Sequence, residues 1–186
     1  MHAAPLILAS ASPRRLSLLA QVGIEPAKVV AADIDENPLA DELPSPYVTR
    51  LAREKALHVA VLYPDAMILA ADTTVALGRR ILGKPEDEAQ AESFLQLLSG
   101  RRHRVFTGIC VCIEGQIRVR AVMTQVQFKR LSKAEVAQYL ASGEWQGVAG
   151  GYRIQGLAER YIQAIHGSYS NVVGLPLMET CALMQR

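Results

Sequence analysis

An anion-binding segment is indicated near the start of the chain. The apolar residues 6–9 run into Ser10, a second serine and a proline, and then into the pair Arg14 and Arg15. Backbone N–H groups at a helix N-terminus carry partial positive charge, and an arginine guanidinium can bind a phosphate through two parallel hydrogen bonds. Taken alone, the segment is more typical of an ordinary strand, turn and serine-capped helix.

Carboxylates follow two other apolar segments. Asp72 comes directly after the apolar residues 67–71, and Asp35 and Glu36 adjoin in an acidic loop that contains a proline. Asp72 has the chemistry to bind a divalent cation or to act as a general base toward water, and a turn or cap is the structural alternative. Solvated surface acids are the default for Asp35 and Glu36, although magnesium needs only one or two protein carboxylates when phosphates complete its shell.

Two lysines and a glutamine are further candidates. Lys84 lies between a glycine and a proline, which permit close approach and fix the loop, but its spacing is not that of a P-loop. Lys55 lies in a charged segment, residues 50–55, that is by itself typical of a solvated helix face. Gln155 offers an amide donor and acceptor suited to the edge of a base, with stabilisation of a turn as the alternative.

The elements that must position these residues are predicted from periodicity and boundary signals. Strands are predicted at 6–10, 28–32, 67–71, 103–114 and 116–131, with a hairpin at 75–82. Helices are predicted at 14–22, from Ser45 as N-cap to before Pro64, at 86–98, from the capping box at Ser132 to Gly143, and after Pro176. This order mixes βαβ segments with antiparallel hairpins and therefore predicts an α/β protein with a mixed sheet.

The helix that begins near Ser45 has a clear apolar stripe. The stripe consists of Val48, Leu51, Ala52, Leu57 and Val61. Lys55 and Arg53 lie off this stripe, and so the periodicity predicts that both side chains are exposed.

Composition restricts the class and the compartment. The 186 residues, half hydrophobic and a fifth charged, fit one large domain or two small lobes that share a core. A net charge of +2 does not indicate nucleic-acid binding, and no apolar run reaches the length of a membrane span or a signal peptide. Cys110, Cys112 and Cys181, with four scattered histidines, form neither a disulfide framework nor a zinc pattern. A cytoplasmic protein is predicted.

Taken together, these segments resemble the Maf family of nucleoside triphosphate pyrophosphatases. The matching segments are LILASASPRRLSLL at 6–19, the acids at 35–36, RLAREKA at 50–56, AADTTV at 70–75, GKP at 83–85, LSGRRHRVFTG at 98–108, GGYRIQG at 150–156 and GSYSNVVGLPLMET at 167–180. Each motif is weak alone, but their combination in this order over nearly the whole chain is highly specific. The resemblance implies a single domain over 1–186, an inosine-triphosphatase-like α/β fold with an elongated mixed sheet and two lobes around a cleft, and a homodimer.

The resemblance also implies an activity. Members hydrolyse a nucleoside triphosphate between its α and β phosphates, with magnesium or manganese as the divalent cation. The family's proton acceptor falls on Asp72, its metal-binding carboxylates on Glu36 and Asp72, and its specificity positions on Arg14, Thr73 and Gln155. Further positions that handle phosphate or metal fall on Ser10, Lys55 and Lys84. Of the two adjacent arginines, only Arg14 is assigned to substrate, and Arg15 is expected to be a charge on the helix surface.

The glutamine at 155 is similar to that of the family branch that acts on dTTP and UTP. An amide can satisfy a pyrimidine carbonyl and ring N–H together, whereas a branch that favours 7-methyl-GTP carries a Ser-Glu pair nearby. One departure from the family pattern concerns substrate preference, because Val148 stands where a lysine is common. Two alternatives stay open: a house-cleaning pyrophosphatase for other non-standard nucleotides, and a nucleotide-binding regulator of cell division.

Overall fold

The computed structural model describes residues 4–185, and within that range seven strands form one sheet flanked by helices. The strands are β1 (Leu6–Ala9), β2 (Lys28–Val29), β3 (Met67–Leu77), β4 (Arg80–Leu82), β5 (Arg102–Ile113), β6 (Gln116–Phe128) and β7 (Ile162–His166). The helices are α1 (Pro13–Gln21), α2 (Pro44–Ala60), α3 (Glu88–Leu98), α4 (Lys133–Ala141), α5 (Tyr169–Val173) and α6 (Leu177–Met184), with short 3₁₀ turns at Ala149–Gly151 and Leu157–Tyr161. Among residues 4–185, no helix combines the length and apolar character that crossing a bilayer requires.

The sheet is mixed, as the sequence predicts. Its strand order is β2-β1-β3-β5-β6-β7, with β4 paired to β3. β1 runs parallel to both β2 and β3, whereas the pairs β3–β4, β3–β5, β5–β6 and β6–β7 are antiparallel. The three long central strands are β3, β5 and β6, and their length gives the sheet its elongated form.

The buried hydrophobic side chains of the described residues form four clusters along the long strands. Two of them, one on each face of the sheet under α2 and α1, make up the first core at one end, and the cluster against α3 and α4 is the second core at the other end. Side chains alternate between the faces of a strand, so in the first core Ala70 and Cys110 pack toward α2 while Leu69 packs with residues of α1. In the second core, Val75 and Val126 pack against α3 and α4. These cores are the two lobes that the family resemblance implies. Cys110 and Cys112 lie in the same cluster, which confirms that they share a face.

β1 and β4 pair with the same edge of β3 but leave a gap between them, which is called the notch below. β1 pairs with β3 only as far as Ala70, and β4 pairs with β3 only from Val75 onward. Residues 71–74 of β3 therefore pair with β5 alone among the described strands. Because side chains alternate, Asp72 and Thr73 leave this notch toward opposite faces of the sheet.

A glycine on β5 lets α2 lie directly on the sheet beside the notch. Gly108 pairs with Asp72, and a Cβ atom at Gly108 would lie 2.1 Å from the carbonyl oxygen of Val48 in α2. Lys55 follows Val48 by about two helical turns on the same side of the helix. The close approach thus places the Lys55 side chain over the carboxylate of Asp72.

Three predicted features of α2 and β3 are wrong. The helix begins at Pro44 with Leu43 as its N-cap residue rather than Ser45, because proline suits the first helical position. β3 continues to Leu77 instead of ending at Ala71, since β5 pairs with it along that whole stretch.

The apolar stripe of α2 also differs from the prediction. Leu57 and Val61 are exposed, at 37% and 82%, whereas Lys55 and Val59 are buried. The buried face of the helix therefore continues through Lys55, whose ammonium group finds carboxylates beneath the helix. β7 and α5 were not predicted, because the short segments that form them carry little apolar periodicity.

Candidate active site

A cavity of about 300 Å³ opens at the notch in the sheet. Its lining includes every site residue predicted from the sequence: Ser10, Arg14, Glu36, Lys55, Asp72, Thr73, Lys84 and Gln155. Asp35, the other acid of the loop, is exposed outside this lining, and its carboxylate accepts a hydrogen bond from the backbone N–H of Asn37 at 2.9 Å. The structure thus separates the two adjacent acids that the sequence left equivalent.

Four of the lining side chains form a continuous row of alternating charges. Lys84 Nζ lies 3.0 Å from Glu36 Oε2, and the other oxygen of that carboxylate lies 2.7 Å from Lys55 Nζ. Lys55 Nζ in turn donates to Asp72 Oδ1 at 2.6 Å. Lys55 and Asp72 are buried, while Lys84 is 60% exposed at the other end of the row. The row therefore leads from solvent to the carboxylate in the notch.

The charge state of Glu36 follows from these contacts. Burial by itself raises the pKa of Glu36, but hydrogen bonds and charge interactions with Lys55 and Lys84 outweigh burial and lower it to about 2. The carboxylate is therefore ionised at neutral pH, ready to bind cations.

α2 also holds the loop that carries Glu36. The Tyr47 hydroxyl donates to the Glu36 carbonyl oxygen at 2.8 Å, and Arg50 Nη2 donates to the carbonyl of Asn37 at 3.1 Å. Burial, together with the charges of Asp72 and Glu36, raises the pKa of Tyr47 to about 12, so its hydroxyl keeps the proton that it donates. One helix thus positions both Lys55 and the Glu36 loop.

Arg15 is part of the cleft, which corrects the expectation of a helix-surface charge. Its Nη1 donates to Ser10 Oγ at 3.0 Å, its Nη2 to Thr73 Oγ1 at 3.2 Å and its Nε to the Gly174 carbonyl at 2.8 Å. A sequence signal for this placement exists, since Arg15 precedes the buried Leu18 and Leu19 by three and four residues, the spacing of one helix face.

Hydrogen bonds continue from Arg15 across the sheet to the C-terminal segment. The hydroxyls of Thr73 and Thr107 lie 2.9 Å apart, and Thr107 donates to the Asn171 carbonyl at 3.0 Å. The fully buried Asn171 amide donates to the Val105 carbonyl and to Thr124 Oγ1. This network fastens α5, whose last residues line the cleft. Neither Thr107 nor Asn171 was singled out from the sequence, because each has its partners far away in the chain.

Comparison with known proteins agrees with this geometry. A family model described as Maf-like protein matches residues 5–186. The chain belongs to the Maf family. It is 62% identical over 182 residues to a protein named dTTP/UTP pyrophosphatase from Paramagnetospirillum magneticum, a match that covers 97% of this chain and 96% of the relative. Proteins of the same name from Rhodospirillum rubrum and Sphingopyxis alaskensis are 58% and 59% identical, covering 97% and 96% of this chain and 86% and 94% of the relatives.

A solved structure shares the fold. A HAM1 protein from Coxiella burnetii aligns with a TM-score of 0.53 at 13% sequence identity, covering 98% of this chain and all of that one. The elongated mixed sheet of this Maf protein is therefore found in a chain of quite different sequence.

Glu36 and Asp72 are the lining carboxylates with the chemistry to hold a divalent cation. In the described part of the chain, no cluster of three or more His, Cys, Asp or Glu side chains is arranged to hold a metal alone. Glu36 and Asp72, however, both reach the single nitrogen of Lys55, so their hard oxygen donors already converge around one positive charge. Two convergent carboxylates are the sparse protein set that magnesium adopts beside phosphate oxygens.

The remaining wall of the cleft combines apolar side chains with Arg14, Arg153 and Gln155. Gln155 is exposed at this wall, and Val148 is buried in it at 4% exposure. At the position where the family commonly has a lysine, this chain therefore presents an apolar surface to the cleft. Arg153, which was not singled out from the sequence, is a second cationic side chain on this wall beside Arg14.

Proposed function

We propose that this chain is a nucleoside triphosphate pyrophosphatase that hydrolyses the α–β phosphoanhydride of dTTP and UTP to the monophosphate and pyrophosphate. The row from Lys84 through Glu36 and Lys55 to Asp72 carries the proposal, because it sets a buried carboxylate at the end of a cleft lined with cationic side chains. The name shared by the relatives in three organisms supports the same reaction and the same nucleotides.

Asp72 is proposed to accept the proton of the attacking water. The Asp72 side chain is 10% exposed, and its carboxylate is oriented by the hydrogen bond from Lys55 at 2.6 Å. Phosphoryl transfer depends mainly on positioning and on stabilisation of charge, and this site supplies both without a covalent nucleophile. Lys84 is exposed, and its ion pair among the described residues is with Glu36. Its side chain can therefore move with the phosphates as they enter the cleft.

Glu36 and Asp72 are proposed to bind the magnesium or manganese ion. When bound, such an ion would neutralise charge on the triphosphate oxygens and hold the phosphates in place for in-line attack by water. Lys55 forms an ion pair with each of the two carboxylates, and so it holds them together before substrate arrives.

Three residues are proposed to select the nucleotide. Gln155 presents its amide at the cleft wall, where it can pair with a pyrimidine carbonyl and ring N–H. Arg14 lines the same cleft near the N-terminus of α1, whose N-cap residue makes no side-chain cap. Thr73 acts through its hydroxyl, which the Arg15 network holds in place.

The decisive measurement is pyrophosphate release from dTTP, UTP, CTP, 7-methyl-GTP and ITP, each with magnesium or manganese. We expect dTTP and UTP to be the preferred substrates, and a clear preference for 7-methyl-GTP or ITP would contradict the assignment of Gln155. Asp72→Asn should reduce turnover by about a hundredfold or more, because it removes the proton acceptor.

Asp35→Asn is the matched control, because it makes the same change at an exposed aspartate outside the cleft lining. Turnover of this variant should equal that of the wild type. Equal rates for Asp72→Asn and the wild type would show that the role given to Asp72 is wrong. The homodimer and the cytoplasmic location stay predictions.

A further inference from the structure

Arg153 is a cleft residue with a fixed backbone and a partly unused side chain. Its backbone N–H donates to the Tyr139 hydroxyl at 3.0 Å, which ties this part of the wall to α4. Its Nη2 donates to the carbonyl of Gln146 at 3.1 Å. The guanidinium is therefore held at the cleft wall rather than free in solvent.

Most of the hydrogen-bonding capacity of the Arg153 side chain is unused within residues 4–185. The side chain makes one hydrogen bond there, from Nη2, and its buried Nε has no partner. A guanidinium carries five N–H donors and no acceptor, so its terminal nitrogens keep donors that a ligand oxygen in the cleft can accept from.

Arg14 adds a second unpaired positive charge to the same cleft. Within the described residues, neither Arg14 nor Arg153 forms an ion pair with a carboxylate, whereas Lys55 and Lys84 both do. Arg15 differs again, because its donors are occupied by Ser10, Thr73 and Gly174. Arg14 and Arg153 line the same cavity, and burial, followed by repulsion from Arg153, lowers the pKa of Arg14.

We propose that Arg153 is a substrate-binding residue which, together with Arg14, binds the phosphate chain of the nucleoside triphosphate. The proposal rests on the proposed function and assigns a further positively charged side chain to the same site. A pyrimidine base is neutral and leaves the repulsion between two guanidiniums in place, whereas phosphate oxygens neutralise both and accept from each fork. In this arrangement Lys55 and Lys84 contact the carboxylates at one end of the cleft. Arg14 and Arg153 bind phosphate at the wall that carries Gln155.

A matched pair of ligands tests this assignment. The non-hydrolysable analogue α,β-methylene-dUTP and the nucleoside deoxyuridine differ only in the phosphate chain, so their dissociation constants can be compared by calorimetry. For Arg153→Gln we expect about a tenfold or larger rise in Kd for the analogue, since a charge-assisted hydrogen bond is lost, and an unchanged Kd for deoxyuridine. Arg153→Lys, which keeps the charge, should retain most of the affinity for the analogue.

Two further variants distinguish a loss of binding from an effect on folding. Glutamine can still donate to the Gln146 carbonyl, and Arg153→Met provides a second neutral variant should Arg153→Gln prove unstable. Arg160→Gln is the matched control, because Arg160 is exposed, donates to the Gln138 side chain and lies outside the cleft lining. Its binding of the analogue should equal that of the wild type.

The outcomes separate the two proposals. An unchanged Kd for the analogue in the neutral variants, an equal loss for deoxyuridine, or Arg153→Lys as weak as Arg153→Gln would each overturn the role of Arg153 while leaving the pyrophosphatase assignment intact. A wild-type protein that neither binds the analogue nor releases pyrophosphate from any nucleotide would overturn the proposed function itself.

Discussion

At the scale of single residues, Arg14 and Arg15 are adjacent in the sequence but make different contacts. Arg15 joins three separate parts of the chain through Ser10, Thr73 and Gly174, whereas Arg14 lines the cleft without an ion pair among the described residues. Lysine keeps the charge but loses the planar fork. We expect Arg15→Lys to lower the free energy of unfolding by about 2 kcal/mol, the scale of a charge-assisted hydrogen-bond network, and to raise KM for dTTP.

Arg14→Lys is the comparison for that variant. Its free energy of unfolding should lie within about 0.5 kcal/mol of the wild type, because the Arg14 side chain makes no hydrogen bond with residues 4–185, while substrate affinity falls. Urea denaturation and initial-rate kinetics measure both quantities. Equal destabilisation by the two substitutions would show that Arg15 does not hold the cleft together.

At the scale of secondary-structure elements, the contact between α2 and β5 places Lys55 over the carboxylate of Asp72. Gly108→Ala would place a methyl group against the Val48 carbonyl, and backbone cannot yield as a flexible side chain does. We expect a loss of about 1–3 kcal/mol in the free energy of unfolding, as for other overpacked sites, together with reduced turnover as Lys55 moves away from Asp72. Denaturant titration and pyrophosphate release measure the two effects.

Gly83→Ala serves as the control for stability, because a Cβ atom there meets nothing within 4 Å and the backbone is not left-handed. It should unfold at nearly the same denaturant concentration as the wild type. If Gly108→Ala does so as well, α2 has room to shift and the close approach does not position Lys55.

The same elements show how far the sequence alone predicts the site. Local signals suffice for the β5–β6 hairpin, the helix that ends near Gly100 and the capping box at Ser132, which forms with both of its hydrogen bonds. The roles of the candidate site residues came from the family resemblance. Local signals wrongly ended β3 before Asp72 and predicted an exposed Lys55, because the partners of these residues, strand β5 and the carboxylate of Glu36, are distant in sequence. A periodic pattern records the average polarity of a face, and it does not detect a buried ion pair.

At the scale of the whole molecule, the cleft depends on two cores that share the long strands. Val75 and Val105 belong to the core around α3 and α4, and both also line the cleft. Ser10 and Asp72 come from the opposite part of the sheet, beside the core under α1 and α2. The site is therefore complete only when both lobes are folded. Protonation of a buried group that destabilises one lobe thus affects the whole cleft.

His103 provides such a titration in the second core. It is 2% exposed, its Nε2 lies 2.8 Å from the hydroxyl of Tyr152, and its ring meets Phe128 edge-on. Burial lowers the pKa of His103 from 6.5 to about 4, so the folded protein holds the neutral ring at pH 5 while the unfolded chain binds a proton. Stability from this residue is complete above pH 6.5 and is lost as the pH falls toward 4, by roughly 3 kcal/mol in total.

The pH dependence of unfolding in His103→Gln tests this linkage. Glutamine can still bond the Tyr152 hydroxyl but does not titrate, so the variant should lose less stability than the wild type between pH 7 and pH 4.5. His58→Gln, which replaces an exposed histidine in the last turn of α2, should retain the pH dependence of the wild type. Glu36, with its pKa lowered to about 2, contributes stability that is lost only as the pH falls below about 4.5, so its effect falls largely outside this window. Parallel stability curves for His103→Gln and the wild type would mean that His103 accepts its proton without disturbing the second core.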